Sequence, residues 1–445
     1  MVAHVLKLPL SLHALVAEAK RRARRRRVLL AVAVIALGGG AGAVVATHPF
    51  GWLESSQATA DYQPGSIVYC GGCLLSAVDA PTVTVATSSA GSAWIVGEDL
   101  AWRWDGKSWR NVPGPHVSGY PPSVFVVGRD DVWAVGAFSP AAAEHWNGIR
   151  WTSVPLPDSL TWPSVRLSSV SASGPRDVWA AGLSSPVKRG RHFYDKAQPL
   201  LLHWNGVAWR RQQLPWAAAG MGIDKVVATG PSSVWVVPSV HRDAWPPIAP
   251  PLEHWDGSSW SAVPRPFGAH DPVAGFSATS GSDAWAVGSY RTGTGSFLTH
   301  PLAAHWDGSS WKLTAVPHPE GHNVLLVGAV SVRPDDVWAI GLNQQTAPDT
   351  AFGPRLFFVH WDGRSWTVAP GSASSYFSAS PTIAASPDGT AWATTNCGND
   401  NVVLRWDGAR WRAVPHPRDA RWDPQFPASV RRREGPIKSC APVSG

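Results

Sequence analysis

Beyond its first residues the chain carries no net charge. Residues 1–27 hold eight Lys and Arg against the single acid Glu18, which equals the formal +7 of the whole 445-residue chain. A basic pI that comes from one tail gives the main body no basic face, so nucleic acid is not an expected partner. Sulfur is scarce, with two Met and four Cys, and there are only six Tyr. From Pro81 onward no stretch has a helical period of useful length. Motifs for chemistry are missing as well: there is no His-Glu-x-x-His, no Gly-x-Ser-x-Gly and no Gly-rich phosphate loop. No catalytic residue, metal or cofactor is therefore assigned.

One long apolar run exists. Val28 to Ala46 is 19 residues without a charge, about 28 Å as a helix, against a hydrocarbon core of roughly 30 Å. Arginines crowd its N-terminal side, and no Lys or Arg follows until Arg103. That asymmetry predicts a single-pass anchor with a basic cytoplasmic tail (1–27), a transmembrane helix (28–46) and the rest outside the cell. Cleavage after Val44-Val45-Ala46 as a signal peptide is the alternative, which would give a secreted protein. Ser11 to Lys20 has helical apolar spacing (Leu12, Leu15, Val16) and reads as part of the topology signal or as a surface-lying basic helix.

What the chain has in plenty is Trp (27), Gly (42) and Pro (40). His254-Trp-Asp-Gly-Ser-Ser-Trp260 recurs in variant form at Trp104–Trp109, Trp146–Trp151, Trp204–Trp209, Trp306–Trp311, Trp361–Trp366 and Trp406–Trp411. Upstream of each lies a signature like Asp131-Val-Trp-Ala-Val-Gly136, with tryptophans at 94, 133, 179, 235, 285, 338 and 392. Seven units of about 48 residues occupy 81–417, after a linker at 47–80 and before a tail at 418–445. Within a unit, short alternating runs broken by Gly-Pro-Arg-Asp and Asn-Gly turns read as four antiparallel strands. One such sheet cannot bury both faces, so the units pack radially with Trp rings between them. The fold is predicted as all-β, a seven-bladed β-propeller with four antiparallel strands per blade, preceded by the transmembrane helix. It is expected to be monomeric.

The unit resembles the kelch family and the Trp-rich propeller repeats of bacterial surface proteins, through its strand ending in Gly and its aromatic, turn, Trp, Pro close. The resemblance implies a propeller and says little of function. Kelch units usually carry two glycines after the second strand. Here there is one (Gly97, Gly136, Gly182, Gly288, Gly341), with Pro238 and Thr395 in the other two blades. The Trp-Asp pair does not match WD repeats, since here it opens a turn. Copper oxidases of kelch-like fold need a Tyr, Cys and His set, and no such set is found.

Antiparallel geometry puts turns 1–2 and 3–4 at one end of the ring, and loops 2–3 with the blade connections at the other. Long 2–3 insertions fall in blades 3 to 6, at 184–199, 239–251, 289–301 and 342–355. They form one crescent, where binding is expected. Its candidate ligand-binding residues are Arg189, Arg191, His192, Tyr194, His241, Arg242, Trp245, Tyr290, Arg291 and Gln344, planar donors beside aromatics suited to a protein or cell-surface glycan. A glycan-active hydrolase or oxidase at the same face is the alternative. Five blades place a His before the first turn Trp (His145, His203, His254, His305, His360). These lie too far apart for a shared metal and are expected to hydrogen-bond locally. Cys70, Cys73, Cys397 and Cys440 are expected as disulfides fastening the flanking segments across the junction of blades 1 and 7, with a redox Cys-Gly-Gly-Cys as the alternative.

Overall fold

The computed structural model describes residues 83–88, 92–117, 122–136, 143–157, 164–185, 197–215, 220–239, 250–268, 271–291, 299–319, 322–345, 355–370, 378–397 and 400–414. They form seven four-stranded antiparallel sheets, each with its strands in chain order. The innermost strands of neighbouring sheets touch all the way round, including the first sheet against the last. This is a closed seven-bladed propeller. Among the described residues no helix is long and apolar enough to cross a membrane; the expected anchor at 28–46 lies outside them.

Each blade ends in the same turn for a local reason. The Asp or Asn after the first turn Trp accepts from two backbone N–H groups with one oxygen, as Asp105 does from Lys107 and Ser108 at 2.9 and 2.8 Å. Asn147 and Asn205 do the same at 3.0–3.1 Å. The following glycine takes φ near +95°, as at Gly106 (97°) and Gly408 (95°), a conformation that costs glycine nothing. The loop is longer than the two-residue Asn-Gly hairpin expected from sequence. Trp204 pairs with Trp209 across four loop residues, and the carboxylate or amide cap makes that length rigid.

Seven apolar clusters, one at each blade junction, make up the core. At every junction the second-strand Trp of one blade meets the turn tryptophans of the next. Trp94 lies 5.6 Å from Trp146, Trp133 5.4 Å from Trp204, and Trp179 6.0 Å from Trp260. Trp235 lies 6.2 Å from Trp306, Trp285 4.9 Å from Trp361, and Trp338 4.9 Å from Trp406. Trp392 closes the circle onto Trp104 and Trp109 at 5.2 and 5.0 Å. A buried Trp hides roughly 200 Å², worth about 5 kcal/mol by area, so these rings dominate the cohesion between blades. Several indole N–H groups reach a carbonyl of the neighbouring blade, such as Trp151 to Pro113 and Trp311 to Pro264, both at 2.8 Å. Others, Trp94, Trp133, Trp285 and Trp392 among them, have no hydrogen-bond partner among the described residues. Their tryptophan neighbours in the next blade are edge-on or tilted rings, and that contact is part of the junction packing.

The innermost strands face the central channel, and among the described residues no fifth strand pairs with their channel-side edge. Hydroxyls of the preceding blade cover part of that edge. Ser123 accepts from the Val170 N–H, Ser169 from Val226, Ser171 from Ala228 and Ser277 from Ser331, at 2.7–3.1 Å. Register defines one recurring level, the inner-strand residue opposite the second residue after each second-strand Trp. It is occupied by Thr84, Ser123, Ser169, Lys225, Gly275, Gly328 and Thr382 in blades 1 to 7. Just before this level the inner strands of blades 3 to 6 carry a register shift. In blades 3, 5 and 6 a carbonyl beside this shift lies against the second-strand glycine. A Cβ on Gly182, Gly288 or Gly341 would stand 2.0–2.2 Å from the carbonyl oxygen of Arg166, Pro272 or Leu325, in or just before the inner strand. In these three blades the carbonyl leaves no room for a side chain.

Among the described residues no strand passes between blades 7 and 1. Their junction is held by the cluster around Trp392, Trp102 and Trp109 and by hydrogen bonds between inner strands. The Val85 N–H donates to Thr382 at 3.2 Å, Thr87 to the Ala385 carbonyl at 2.9 Å, and Thr394 to the Val83 carbonyl at 3.1 Å. Cys397 ends the second strand of blade 7, Ala391–Cys397. Cys70, Cys73 and Cys440 lie outside the described residues.

Candidate binding face

The repeated histidines belong to the scaffold. In the second strand Asp131, Asp177, Asp283 and Asp336 accept from His145, His203, His305 and His360 Nε2 at 2.6–2.9 Å. Each ring also lies against the second-strand Trp of its blade, for example His203 on Trp179 at 4.3 Å. Burial pushes Asp177 and Asp283 up, but the bonds from His203 and Ser173, and from His305 and Thr279, outweigh it and hold both carboxyls below the ordinary range. Blade 4 substitutes Ser233, which meets His254 at 3.3 Å; burial pushes that imidazole down. In the end blades Arg103 and Arg405 cover Trp94 and Trp392 instead, at 6.0 and 5.3 Å. Among the described residues no group of three or more metal-ligating side chains could hold an ion.

The loop-bearing end holds less loop than the sequence suggested. In blade 5 the second and third strands, Asp283–Arg291 and Thr299–Trp306, stay paired out to Arg291 and Thr299. In blade 6 Asn343 pairs with Arg355, and the inner strand His322–Arg333 follows as far as Gln345. The insertions are thus partly rigid hairpin extensions. Tyr290, Arg291 and Gln344 stand on these extensions. Arg189, Arg191, His192, Tyr194, His241, Arg242 and Trp245 lie outside the described residues.

Around Tyr290 the fold gathers side chains that the sequence did not single out. Its ring lies 5.2 Å from that of His300, the residue opposite it in the hairpin. His300 Nδ1 is 3.1 Å from Nε2 of His318, which comes from the connection into blade 6. His318 Nδ1 is 3.0 Å from the Val316 carbonyl and must donate to it. When neutral, His318 is then the acceptor at Nε2 and His300 carries its proton on Nδ1. Across the junction, His322 Nδ1 donates to Asn343 Oδ1 at 2.8 Å, and Asn323 accepts the Thr299 N–H at 2.8 Å. Tyr290, His300, His318, His322, Asn323 and Asn343 are all half-buried. The result is a preorganised patch of planar rings and amides at the junction of blades 5 and 6. The signal available in the sequence was the repeat register: apart from His318, in the connection, these residues lie on strand extensions at the loop-bearing end.

A second polar group sits at the junction of blades 1 and 2 on the same end. His116 lies 3.9 Å from Asp99 and 4.0 Å from Glu144, and its backbone N–H donates to Glu144 at 3.1 Å. Glu144 is buried and its counterpart in blade 4, Glu253, is buried too. Glu253 Oε2 has no hydrogen-bond partner among the described residues, and burial pushes its carboxyl up.

No family model matches the sequence, and a search of curated proteins finds no match. Similar solved structures exist. YCF48 bound to D1 peptide shares 15% identity at a TM-score of 0.40, covering 65% of this chain and 79% of that one. The GH74 xyloglucanase from Xanthomonas campestris shares 15% at 0.45, with 75% of this chain matched to 54% of the enzyme. A chain of the Mitotic Checkpoint Complex shares 11% at 0.40, covering 74% and 93%. One of these proteins is an enzyme and one is bound to a peptide, so the likeness is one of architecture and carries no assignment of ligand or activity.

Proposed function

We propose that this chain is an extracytoplasmic propeller with kelch-like units, anchored through residues 28–46, that binds a protein or cell-surface glycan without chemistry. The observation that carries the reading is the patch at blades 5 and 6, on the end that bears the long insertions. Rings fixed by hydrogen bonds and amides on paired strands offer stacking and directional polar contacts at little entropic cost. The test is capture of glycans on an array, and of secreted proteins, by the full chain in detergent micelles. Tyr290→Ala and His300→Ala should each weaken capture at least about tenfold, the scale of a binding hot spot. Capture unchanged in both variants refutes the assignment of this patch. Protease added to intact cells should digest the propeller; protection refutes the topology.

A glycan-active enzyme is the second reading, and Asp99, His116 and Glu144 are the observation that favours it. Against it, one Glu144 oxygen is occupied by a backbone N–H and the carboxyl is buried, which leaves it poorly placed to reach a substrate. Glycan cleavage that is lost in Asp99→Asn would establish this reading.

A further inference from the structure

Two neighbouring blades depart from the repeat at the turn-bearing end of the ring, opposite the insertions. In blades 1, 4, 5, 6 and 7 an aspartate caps the turn between the third and fourth strands: Asp105, Asp256, Asp307, Asp362 and Asp407. The third residue of those turns is Lys107, Ser258, Ser309, Arg364 or Ala409. Blades 2 and 3 are capped by Asn147 and Asn205, and their third turn residues are Ile149 and Val207, 81% and 83% exposed. The other two exposed large apolar side chains, Leu313 and Val368, stand on the outer strands of blades 5 and 6. The cap fixes the turn backbone, so neither Ile149 nor Val207 can fold away from water.

The asparagines also change the charge. In blades 1, 5 and 7 the second oxygen of the cap holds the cation that follows the second turn Trp: Arg110 on Asp105 at 2.6 Å, Lys312 on Asp307 at 2.8 Å, and Arg412 on Asp407. Blade 3 has Arg210 at that place. Asn205 Oδ1 already accepts from Val207 and Ala208, and its other atom is an amide nitrogen that cannot accept. Arg210 is exposed and has no hydrogen-bond or ion-pair partner among the described residues, and the same holds for Arg129 and Arg150 of blade 2 and Arg176 of blade 3. The neighbouring acids are occupied: Asp130 pairs with Arg103 at 3.0 Å, and Asp131 and Asp177 accept from His145 and His203.

Contacts join these pieces into one surface. The Arg176 stem crosses the blade 3 turn, where a Cβ on Gly206, next to Val207, would stand 2.7 Å from its Cγ. Asp130 packs likewise on the blade 2 turn, its Cβ 2.9 Å from where a Cβ on Gly148 would stand. The roots of the two turns meet on Trp133, whose ring lies 4.6 Å from that of His145 and 5.4 Å from that of Trp204.

We infer that the turn-bearing end of blades 2 and 3 docks an acidic, partly apolar segment of a protein partner. Exposed guanidiniums without partners take carboxylates through paired hydrogen bonds, and the two aliphatic tips among them supply apolar contact. Among the described residues the exposed large apolar side chains include no aromatic ring on which bases would stack. Single aliphatic tips also fall short of the continuous apolar face that a lipid surface takes up. The inference stands on the turn register and does not depend on the patch at blades 5 and 6.

The test selects random displayed peptides on the full chain in detergent micelles. A synthetic peptide of residues 1–27 is present in excess, which removes sequences that prefer the basic tail. Recovered peptides should be rich in Asp and Glu together with large apolar residues, and salt should weaken their binding. Asn205→Asp gives blade 3 the cap of the five other blades and returns a partner to Arg210. It should melt at or above the wild-type temperature and bind the recovered peptides at least about tenfold more weakly, the scale of a hot spot. Ile149→Ser and Val207→Ser should each weaken binding about tenfold as well, and Tyr290→Ala should leave it unchanged. Recovery of no peptides, peptides without an acidic excess, or equal affinity in wild type and Asn205→Asp would each overturn the inference. So would phosphatidylserine vesicles or duplex DNA that bind the wild-type chain and are released by Asn205→Asp.

Discussion

Removing one carboxylate from the inside of a blade tests whether the Asp–His–Trp arrangement holds the sheet together. Asp283 is 8% exposed and accepts from His305 at 2.7 Å and from Thr279, while His305 lies against Trp285 at 4.7 Å. Asp283→Ala deletes two bonds to a charged acceptor, each worth about 1.5–3 kcal/mol, and leaves the imidazole without its partner. The His305 side chain is 29% exposed, so water recovers part of that loss. The expected cost is about 2–4 kcal/mol, or roughly 4–8 °C in melting temperature for a domain of this size. Asp283→Ser should cost less, because blade 4 already uses Ser233 against His254. The carboxyl is held below its unfolded value, so its contribution is present above about pH 4 and lost as pH falls through the folded value. Thermal and urea unfolding at pH 7 and pH 3 should show the gap between wild type and Asp283→Ala shrinking in acid. A gap under about 0.5 kcal/mol at pH 7, or one that does not change with pH, would refute the reasoning.

Three further outcomes follow from the same packing. Glu253→Leu places the residue of blades 3 and 7 at this register position and should stabilise the chain at pH 7 by about 1–3 kcal/mol, with the gain shrinking as pH falls and Glu253 is protonated. Gly182→Ala drives a Cβ into the Arg166 carbonyl and should cost about 2–3 kcal/mol, whereas Gly128→Ala, with nothing within 4 Å, should be neutral by the same urea titration. Burial lowers the pKa of His254, so its neutral form favours folding above about pH 6.5 and opposes protonation below it; His254→Phe should flatten the loss of stability between pH 7 and 5.

The blade count and the role of Trp were legible because a period of about 48 residues with three fixed indoles admits few packings. The turn chemistry was legible in kind, since Asp or Asn before Gly names a cap, but its four-residue length was not. What the sequence hid is what arises only between blades. Ser169 and Ser171 read as the polar half of an alternating strand, yet they hold the N–H groups of Val226 and Ala228, 57 residues away. The glycines of blades 3, 5 and 6 were seen without their cause, because the carbonyl that excludes a side chain belongs to a neighbouring segment of the blade. Tyr290 was picked out as an aromatic in an insertion. His300 and His318 were not, since their meeting depends on hairpin pairing that Ser-Tyr-Arg and Thr-His-Pro do not announce.

Closure of the ring is the claim from which the working face and the channel both follow, and amide hydrogen exchange tests it most directly. The Val85 N–H bonds across the blade 7 to blade 1 junction as the Val170 and Val226 N–H groups bond across interior junctions. A closed ring predicts protection at Val85 within about tenfold of Val170 and Val226. Protection at Val170 and Val226 with Val85 exchanging like an exposed amide would mean an open arc, and would contradict the account.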